Sequence, residues 1–407
     1  MPDPARPPQP RAPSLGRNAA LGITQIVLWG GSFFLMAVLG EPIVRATGWP
    51  QGIVVGALSL AILVSGLLSP WVGRRIRRHG GRPVLMAGSL VIALGQVLMA
   101  LAPNLPVFLL AWVVVGIGMA GALYDPLFAA IGQAYGVSAR GAMTQIAIAS
   151  GFAITLCWPA SSFLVDAIGW RGTCLVYAAL AAFVVVPLFA WALPGQDRNP
   201  PAKAALPPEA GAAPLVSPAG QGPLPGERIL AITFTSAAVI MTAISVQLLV
   251  LLQAKGVAAS TAVALSTLIG PSQVGARILE LVFGRRAHPA WALLVSSGSV
   301  GLGLAILAMA PSLAWLGIVL YGVGNGMRTV VRGTLPLTLY GQGDYAAVMG
   351  RLARMPLLGQ AATPLACGTL AAWFGLDALL ELMLAVAVLN VGLSVVVARR
   401  AVRRARA

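Results

Sequence analysis

Charge is scarce in this chain. Only 9% of its 407 residues are Asp, Glu, Lys or Arg, where a soluble domain carries roughly 25%. Most of the chain therefore has no means of meeting water, which excludes an ordinary soluble enzyme. Acids number 11 against 27 Lys and Arg. Cysteine is down to Cys157, Cys174 and Cys367, far apart in apolar stretches, which excludes a disulfide framework and a CxxC metal site. Histidine is down to His79 and His288, each near Arg and without a Glu or Cys companion, so no metal site is expected. What is abundant is apolar: 58% of residues, with a mean hydropathy of +0.86. The bilayer is the solvent that this composition fits.

A charged side chain at mid-bilayer costs about 3 kcal/mol, so uncharged intervals mark candidate spans. They form two matching series. The first is 18–40, 46–73, 83–124, 141–165 and 172–196; the second is 229–254, 256–276, 287–327, 355–376 and 382–398. A span needs about 20 residues. The long third interval of each series holds a turn signal at its middle, Ala102-Pro103-Asn104-Leu105-Pro106 and Ala310-Pro311-Ser312, and divides into two helices. Six spans per series make twelve.

Net charge is +16, which in a soluble protein would suggest nucleic acid. Placement decides otherwise. With the N-terminus inside, the basic residues gather on the cytoplasmic side, leaving Arg45, Arg171 and Lys255 outside, as topogenic anchoring requires. The cluster Arg74, Arg75, Arg77, Arg78 and Arg82 lies between two spans, and no nucleic-acid partner is expected. The predicted organisation is a disordered cytoplasmic tail (1–18), a six-helix bundle (19–193), a Pro- and Ala-rich flexible linker (194–227), a second six-helix bundle (228–398) and a basic cytoplasmic tail (399–407). The tail precedes an apolar run too long for a signal-peptide core, so the first helix is expected to stay uncleaved.

The halves repeat internally. Val72-Gly73-Arg74-Arg75-Ile76 returns as Val274-Gly275-Ala276-Arg277-Ile278, Gly116-Ile117-Gly118 as Gly322-Val323-Gly324, and His79 corresponds to His288. An even number of helices per half keeps both halves in the same orientation, so the predicted fold is an all-α integral membrane protein whose two bundles are related by a parallel pseudo-two-fold.

These features resemble the major facilitator superfamily. In the loop after the second span, Gly73, Arg78, Gly80 and Arg82 fit the family pattern, while Arg77 stands where the family has an acid. The acid-based inner latch that the resemblance implies thus lacks its acid. The Gly169-Trp170-Arg171 turn and Pro159 also look like the family. The Arg of many proton-driven drug exporters falls at Trp112, so their proton relay does not carry over. Gly48-Trp49, and Tyr135-Gly136 to Gly151, look more like monocarboxylate and oxalate transporters. The resemblance implies a central cavity lined by the first, fourth, seventh and tenth spans, with access alternating between the two sides.

Residues three or four apart share a helix face, and the polar residues within those spans form such faces. In the tenth span Tyr321, Asn325, Arg328 and Arg332 advance by 4, 3 and 4. A buried Arg needs a partner or an anion, and Arg328 with Asn325 suits a carboxylate or phosphate. Arg332, nearer the helix end, reads as an interfacial anchor or a gate. Asp125, before Pro126, is the acid deepest in a span; it is expected to relay a proton or to pair with Arg328, Arg332 or Arg140. Gln25, Trp29 and Ser32 of the first span, and Thr235, Thr242 and Ser245 of the seventh, suit a cavity wall or interhelical hydrogen bonds. Arg277 and Glu280, with Arg351 and Arg354, lie near cytoplasmic ends and read as gates or anchors. Gly116 to Gly121 has GxGxxG spacing, but it lies inside a span, where close packing of small residues explains it better than a dinucleotide site.

The sequence thus predicts a secondary active or facilitative transporter, moving a small polar or anionic organic solute by alternating access. The substrate site is expected at Tyr321, Asn325, Arg328, Gln25, Trp29, Ser32, Thr242 and Ser245. Coupling or gating is assigned to Asp125, Arg332, Arg140, Arg277, Glu280 and Arg77. Efflux of amphipathic drugs, or of an arsenite-like metalloid on Cys157 and Cys367, is the alternative. A membrane enzyme or receptor lacks a nucleophile, base and acid set. No cofactor is expected; the expected partners are the substrate, protons and lipid. The expected form is a multi-pass monomer of a cell membrane, of bacterial inner-membrane type, with both termini cytoplasmic.

Overall fold

The computed structural model describes residues 13–195, 226–283 and 288–406. Most of the expected N-terminal tail and of the linker between the halves lies outside the described residues. All regular structure among the described residues is helical: α1 (Leu15–Gly30), α2 (Leu35–Thr47), α3 (Gln51–His79), α4 (Gly81–Ala100), α5 (Leu105–Ala122), α6 (Tyr124–Tyr135), α7 (Ala139–Ser150), α8 (Ala153–Ala179), α9 (Val186–Ala192), α10 (Glu227–Ala254), α11 (Ala259–Ser266), α12 (Ile269–Phe283), α13 (Pro289–Met309) and α14 (Ala314–Arg406). Single turns of tighter or wider helix join some of these.

Among the described residues, seven helical stretches are long and apolar enough to cross a membrane: Leu15–Thr47, Gln51–His79, Gly81–Ala100, Leu105–Ala192, Glu227–Ala254, Pro289–Met309 and Pro311–Ala401. The fourth and the last of these are 88 and 91 residues long, several times the ~20 residues of one crossing, and both are broken. Gly169 (φ 73°) interrupts α8, and Gly341 (φ 72°) and Gly375 (φ 86°) interrupt α14. At these left-handed angles a β-carbon is strained and glycine is not, so the chain turns there without a loop.

Other breaks are built by specific groups. Pro126 has no N–H, which leaves the Ala122 carbonyl without its helical donor. Gln25 of α1 supplies one, its Nε2 donating to Ala122 O at 3.0 Å, and the helix restarts as α6. The turn between α1 and α2 is held by Gln96, whose Nε2 donates to the Gly31 carbonyl. Caps fix several starts: Ser14 accepts from the Arg17 N–H, Asn104 from Val107 and His288 from Ala290. Arg171 lies over the Trp170 ring and donates to the carbonyls of Ala100 and Ala102 at the end of α4.

Some boundaries differ from the sequence reading. Helix α1 starts at Leu15, inside the expected tail, because Ser14 caps it. Helix α14 runs through Arg406, so the basic segment beyond 398 continues the helix. The first expected span is divided into α1 and α2.

One apolar core joins α1 to α9 and reaches into α14 at Val330, Leu337, Tyr345, Ala346 and Met349. Two further cores hold α10 to α14 together. In α5, Gly116 lies on the backbone of Ala61 in α3, and Gly118 and Gly121 lie against Gly88 of α4, so the GxGxxG run is a helix-packing surface.

Candidate substrate cavity and its closed end

Between the two halves lies a cavity of about 150 Å³. Its wall combines α1, α3 and the α5–α6 break on one side with α10 and α14 on the other. Three charged residues line it, Asp125, Arg328 and Arg332, together with Asn325, Trp29 and Tyr124. The break at Leu123 lets Asp125 enter the wall, because the helix that restarts there carries Asp125 in its first turn.

Two of these charges are paired. The Arg332 guanidinium donates to Asp125 Oδ2 at 2.7 Å, joining α14 to α6 across the cavity. Arg328 donates to Oδ1 of Asn325, three residues earlier on the same helix. Among the described residues no acidic side chain pairs with Arg328. That interaction also sets the Asn325 amide: with Oδ1 used by Arg328, Nδ2 is buried without an acceptor. Tyr321, expected at the site, is buried behind the cavity wall and does not line it; it donates to the Met241 carbonyl at 3.2 Å and has Ser245 and Asn325 beside its hydroxyl. Trp29 packs between Phe33 and Tyr124, with ring centroids 5.1 and 5.0 Å away, and its Nε1 is likewise buried without an acceptor.

The remaining expected site residues lie elsewhere. Gln25 is fully buried at the Ala122 carbonyl. Ser32 is fully buried and donates to Leu28 O at 2.5 Å. Thr242 donates to Ala238 O, and Thr235 to Ala231 O. Ser245 is exposed and donates to Met241 O. The part of α10 in the cavity wall is Phe234, Ala238 and Met241, an apolar stripe. Cys157, whose Sγ donates to Ile26 O, and Cys367, in an apolar core of the other half, do not line the cavity.

At the end that carries residues 13 and 406, the halves are sealed against each other. Gly73 of α3 lies backbone to backbone on Gly350 of α14. Arg77 donates to Asp344 at 3.2 Å, Gln133 to the Arg77 carbonyl at 3.2 Å, and Gln342 to the Gln133 carbonyl at 2.6 Å. Tyr345, fully buried, stands against Gly132 and donates to Gly333 O at 2.7 Å. A second seam joins α7 to α12 and α14. There Arg277, buried, donates to Ala147 O at 2.7 Å, to Gly326 O at 3.3 Å and to Thr329 at 3.2 Å. Glu280 lies within electrostatic reach of Arg140 and Arg277. Arg351 is engaged within its own half by the buried Glu227, at 2.7 and 2.9 Å. Among the described residues, the extensive contacts between halves all run through α3, α6, α7 and the Gly136–Ser138 turn to α12 and α14. Helices α2 and α8 of one half and α10 and α11 of the other make none of comparable extent across it.

Sequence reasoning missed Asp344, Gln133, Gln342 and Tyr345. A signal was present: Asp344 is the one acid between Arg332 and Arg351, and it is the acid that Arg77 meets.

Residues 21–355 match the Major Facilitator Superfamily. Monocarboxylate transporter 11 of Mus musculus is 33% identical over 130 residues, 30% of this chain and 27% of that protein; the Homo sapiens protein of that name is 31% identical over 154 residues, 35% and 31%. The chain thus aligns with less than a third of the length of these relatives. The fold is similar to the crystal structure of the human organic anion transporter MFSD10 (TETRAN), with a TM-score of 0.72 at 17% identity, covering 94% of this chain and 100% of that one. It is also similar to the proton:xylose symporter XylE, with a TM-score of 0.69 at 12% identity over 93% and 94%. The Escherichia coli fucose:proton symporter FucP gives 0.67 at 14% identity over 95% and 99%.

Proposed function

The chain belongs to the Major Facilitator Superfamily, and from that premise we propose that it moves a small organic anion across a membrane by alternating access, as a secondary transporter of twelve spans in two six-helix bundles. The helical breaks support twelve crossings. Pairs such as α1 with α2, α5 with α6, α7 with the part of α8 that ends at Gly169, and α11 with α12 each make one crossing, and Gly341 and Gly375 end two others. The bundles rock about the cavity between them, as parallel-repeat transporters do.

The observation that carries the substrate class is Arg328, a guanidinium in the cavity wall with a neutral amide as its side-chain partner. A guanidinium held in such a place favours an anionic ligand. The names of two similar proteins, an organic anion transporter and a monocarboxylate transporter, lie in the same direction. With the basic loops cytoplasmic, the sealed end faces the cytoplasm and the arrangement is outward-facing. Asp125 and Arg332 act as a gate within the cavity, released when Asp125 takes up a proton. Arg77 with Asp344, and Arg277 with Glu280 and Arg140, act as the inner latches.

The test is uptake into proteoliposomes of a panel of carboxylates, cationic drugs and arsenite, with and without a proton gradient. Carboxylate uptake that Arg328→Ala removes is the expected result. Transport of cations or arsenite alone would show the substrate class to be wrong.

A further inference from the structure

Most polar side chains of the cavity wall already have partners. Asp125 and Arg332 hold each other, and Arg328 holds Asn325. Ser69 donates to the Ser65 carbonyl at 2.7 Å, Thr329 to the Asn325 carbonyl at 3.3 Å, and the Tyr124 hydroxyl to Ser150. Trp29 Nε1 and Asn325 Nδ2 are shut in behind the wall. Two lining side chains remain, the Ser65 hydroxyl of α3 and the Gln360 amide of α14. Both residues are buried, at 3% and 7% exposure, and among the described residues neither side chain has a hydrogen-bond partner. Their polar atoms are not among those closed off from solvent, so they face the cavity.

The two stand on opposite halves, beside one close approach. Gly66, next to Ser65, packs on the turn of α14 that precedes Gln360: a β-carbon on Gly66 would stand 3.0 Å from that of Leu357 and 3.4 Å from the Leu358 nitrogen. Gln360 is three residues past Leu357, about 4.5 Å further along the helix. One turn back on each helix the wall is apolar, at Ile62 and Leu357.

Resting on the anion reading above for the ligand's charge alone, we infer that Ser65 and Gln360 form a second subsite, which takes an uncharged ligand group that both donates and accepts a hydrogen bond, a hydroxyl or a carboxamide. An amide side chain carries two donors and an acceptor side by side, and a hydroxyl turns either way, so such a group meets both. A second carboxylate engages only their donors, and an ammonium only their acceptors. A methyl group dries both side chains and pairs neither, which is how a polar site rejects an analogue that lacks the group it was built for. The ligand's charge then lies at Arg328 and its selectivity at two residues that carry no charge.

The test is uptake, by the full-length protein in proteoliposomes, of four radiolabelled monoanions in two shape-matched pairs: 4-hydroxybutyrate with valerate, and succinamate with 4-methylvalerate. The first member of at least one pair should be taken up at least fivefold more efficiently than its methyl analogue, the worth of one hydrogen bond; the pair that shows the larger ratio tells hydroxyl from carboxamide. Gln360→Leu should bring that ratio close to one, and Ser65→Ala should lower it. A loss of folding or packing would lower all four compounds together and leave the ratio as it was. A ratio near one in the wild type, or a ratio unchanged in Gln360→Leu, would overturn the inference. The two readings fail separately. If Arg328→Ala loses all four compounds while Gln360→Leu keeps the ratio, the anion reading stands and the subsite falls. If Arg328→Ala takes up all four as before while Gln360→Leu levels them, the subsite stands and the anion reading falls. No uptake of any of the four by the wild type would overturn both.

Discussion

Gly73 and Gly350 meet at the sealed end with no side chain between them: a β-carbon on Gly73 would stand 2.9 Å from the Gly350 Cα, and one on Gly350 would stand 2.5 Å from the Ser69 carbonyl oxygen. Both neighbours are backbone and neither moves aside cheaply. Overpacking of this kind typically costs about 1–3 kcal/mol, and here the cost falls only on the conformation in which α3 and α14 touch. Gly73→Ala and Gly350→Ala are therefore expected to shift the protein away from the arrangement closed at this end towards one open there. Spin-label distances between the halves across the sealed end check this, and should lengthen in either variant.

Arg77 and Asp344 bridge the same seam with both side chains partly in solvent, where an ion pair is worth about 0–1 kcal/mol. Arg77→Asp is expected to loosen the latch by no more than about fivefold in the conformational equilibrium. The double variant Arg77→Asp with Asp344→Arg should restore it. The same distance measurement reads both. Failure of the exchanged pair to restore the wild-type distances would show that the charges do not act on each other.

Asp125→Asn keeps the shape of the side chain and removes the charge that Arg332 meets at 2.7 Å. If the pair is the gate that protonation releases, the variant should lose gradient-driven accumulation of substrate and retain exchange of substrate across the membrane. Unaltered accumulation would remove Asp125 from coupling.

Gln25 reads in the sequence as part of a polar stripe, yet its work is on backbone. Gln25→Ala leaves the Ala122 carbonyl without a donor where Pro126 has already withdrawn one, at a cost of about 1–3 kcal/mol. A lower unfolding temperature in detergent is expected, with substrate affinity within twofold of wild type.

The helical, membrane-embedded character of the chain was legible because charge is excluded from long intervals, and the breaks at Gly169 and Pro126 were marked by the residues that make them. Tyr321, Asn325, Arg328 and Arg332 stand out in the sequence for the same reason, as four polar groups at helical spacing in an apolar span; Asn325, Arg328 and Arg332 line the cavity, and Tyr321 does not. The polar stripe of α10 misled, since hydroxyls such as Thr242 find an acceptor in the carbonyl four residues back and need no cavity, while Phe234, Ala238 and Met241 carry no polar signature. The seam was hidden for a different reason. Asp344 and Gln342 lie in the turn at Gly341, far in sequence from Arg77 and Gln133, and only the packing of the two halves brings them together.

Saturation uptake of a radiolabelled carboxylate by the wild type, Arg328→Lys and Arg328→Ala, at matched amounts of protein in the membrane, bears most directly on the account. A charge-assisted hydrogen bond is worth about 1.5–3 kcal/mol, so Arg328→Ala should lose roughly ten- to hundredfold in uptake efficiency, with Arg328→Lys in between. Equal efficiency in all three would mean that the guanidinium in the cavity wall does not meet the substrate.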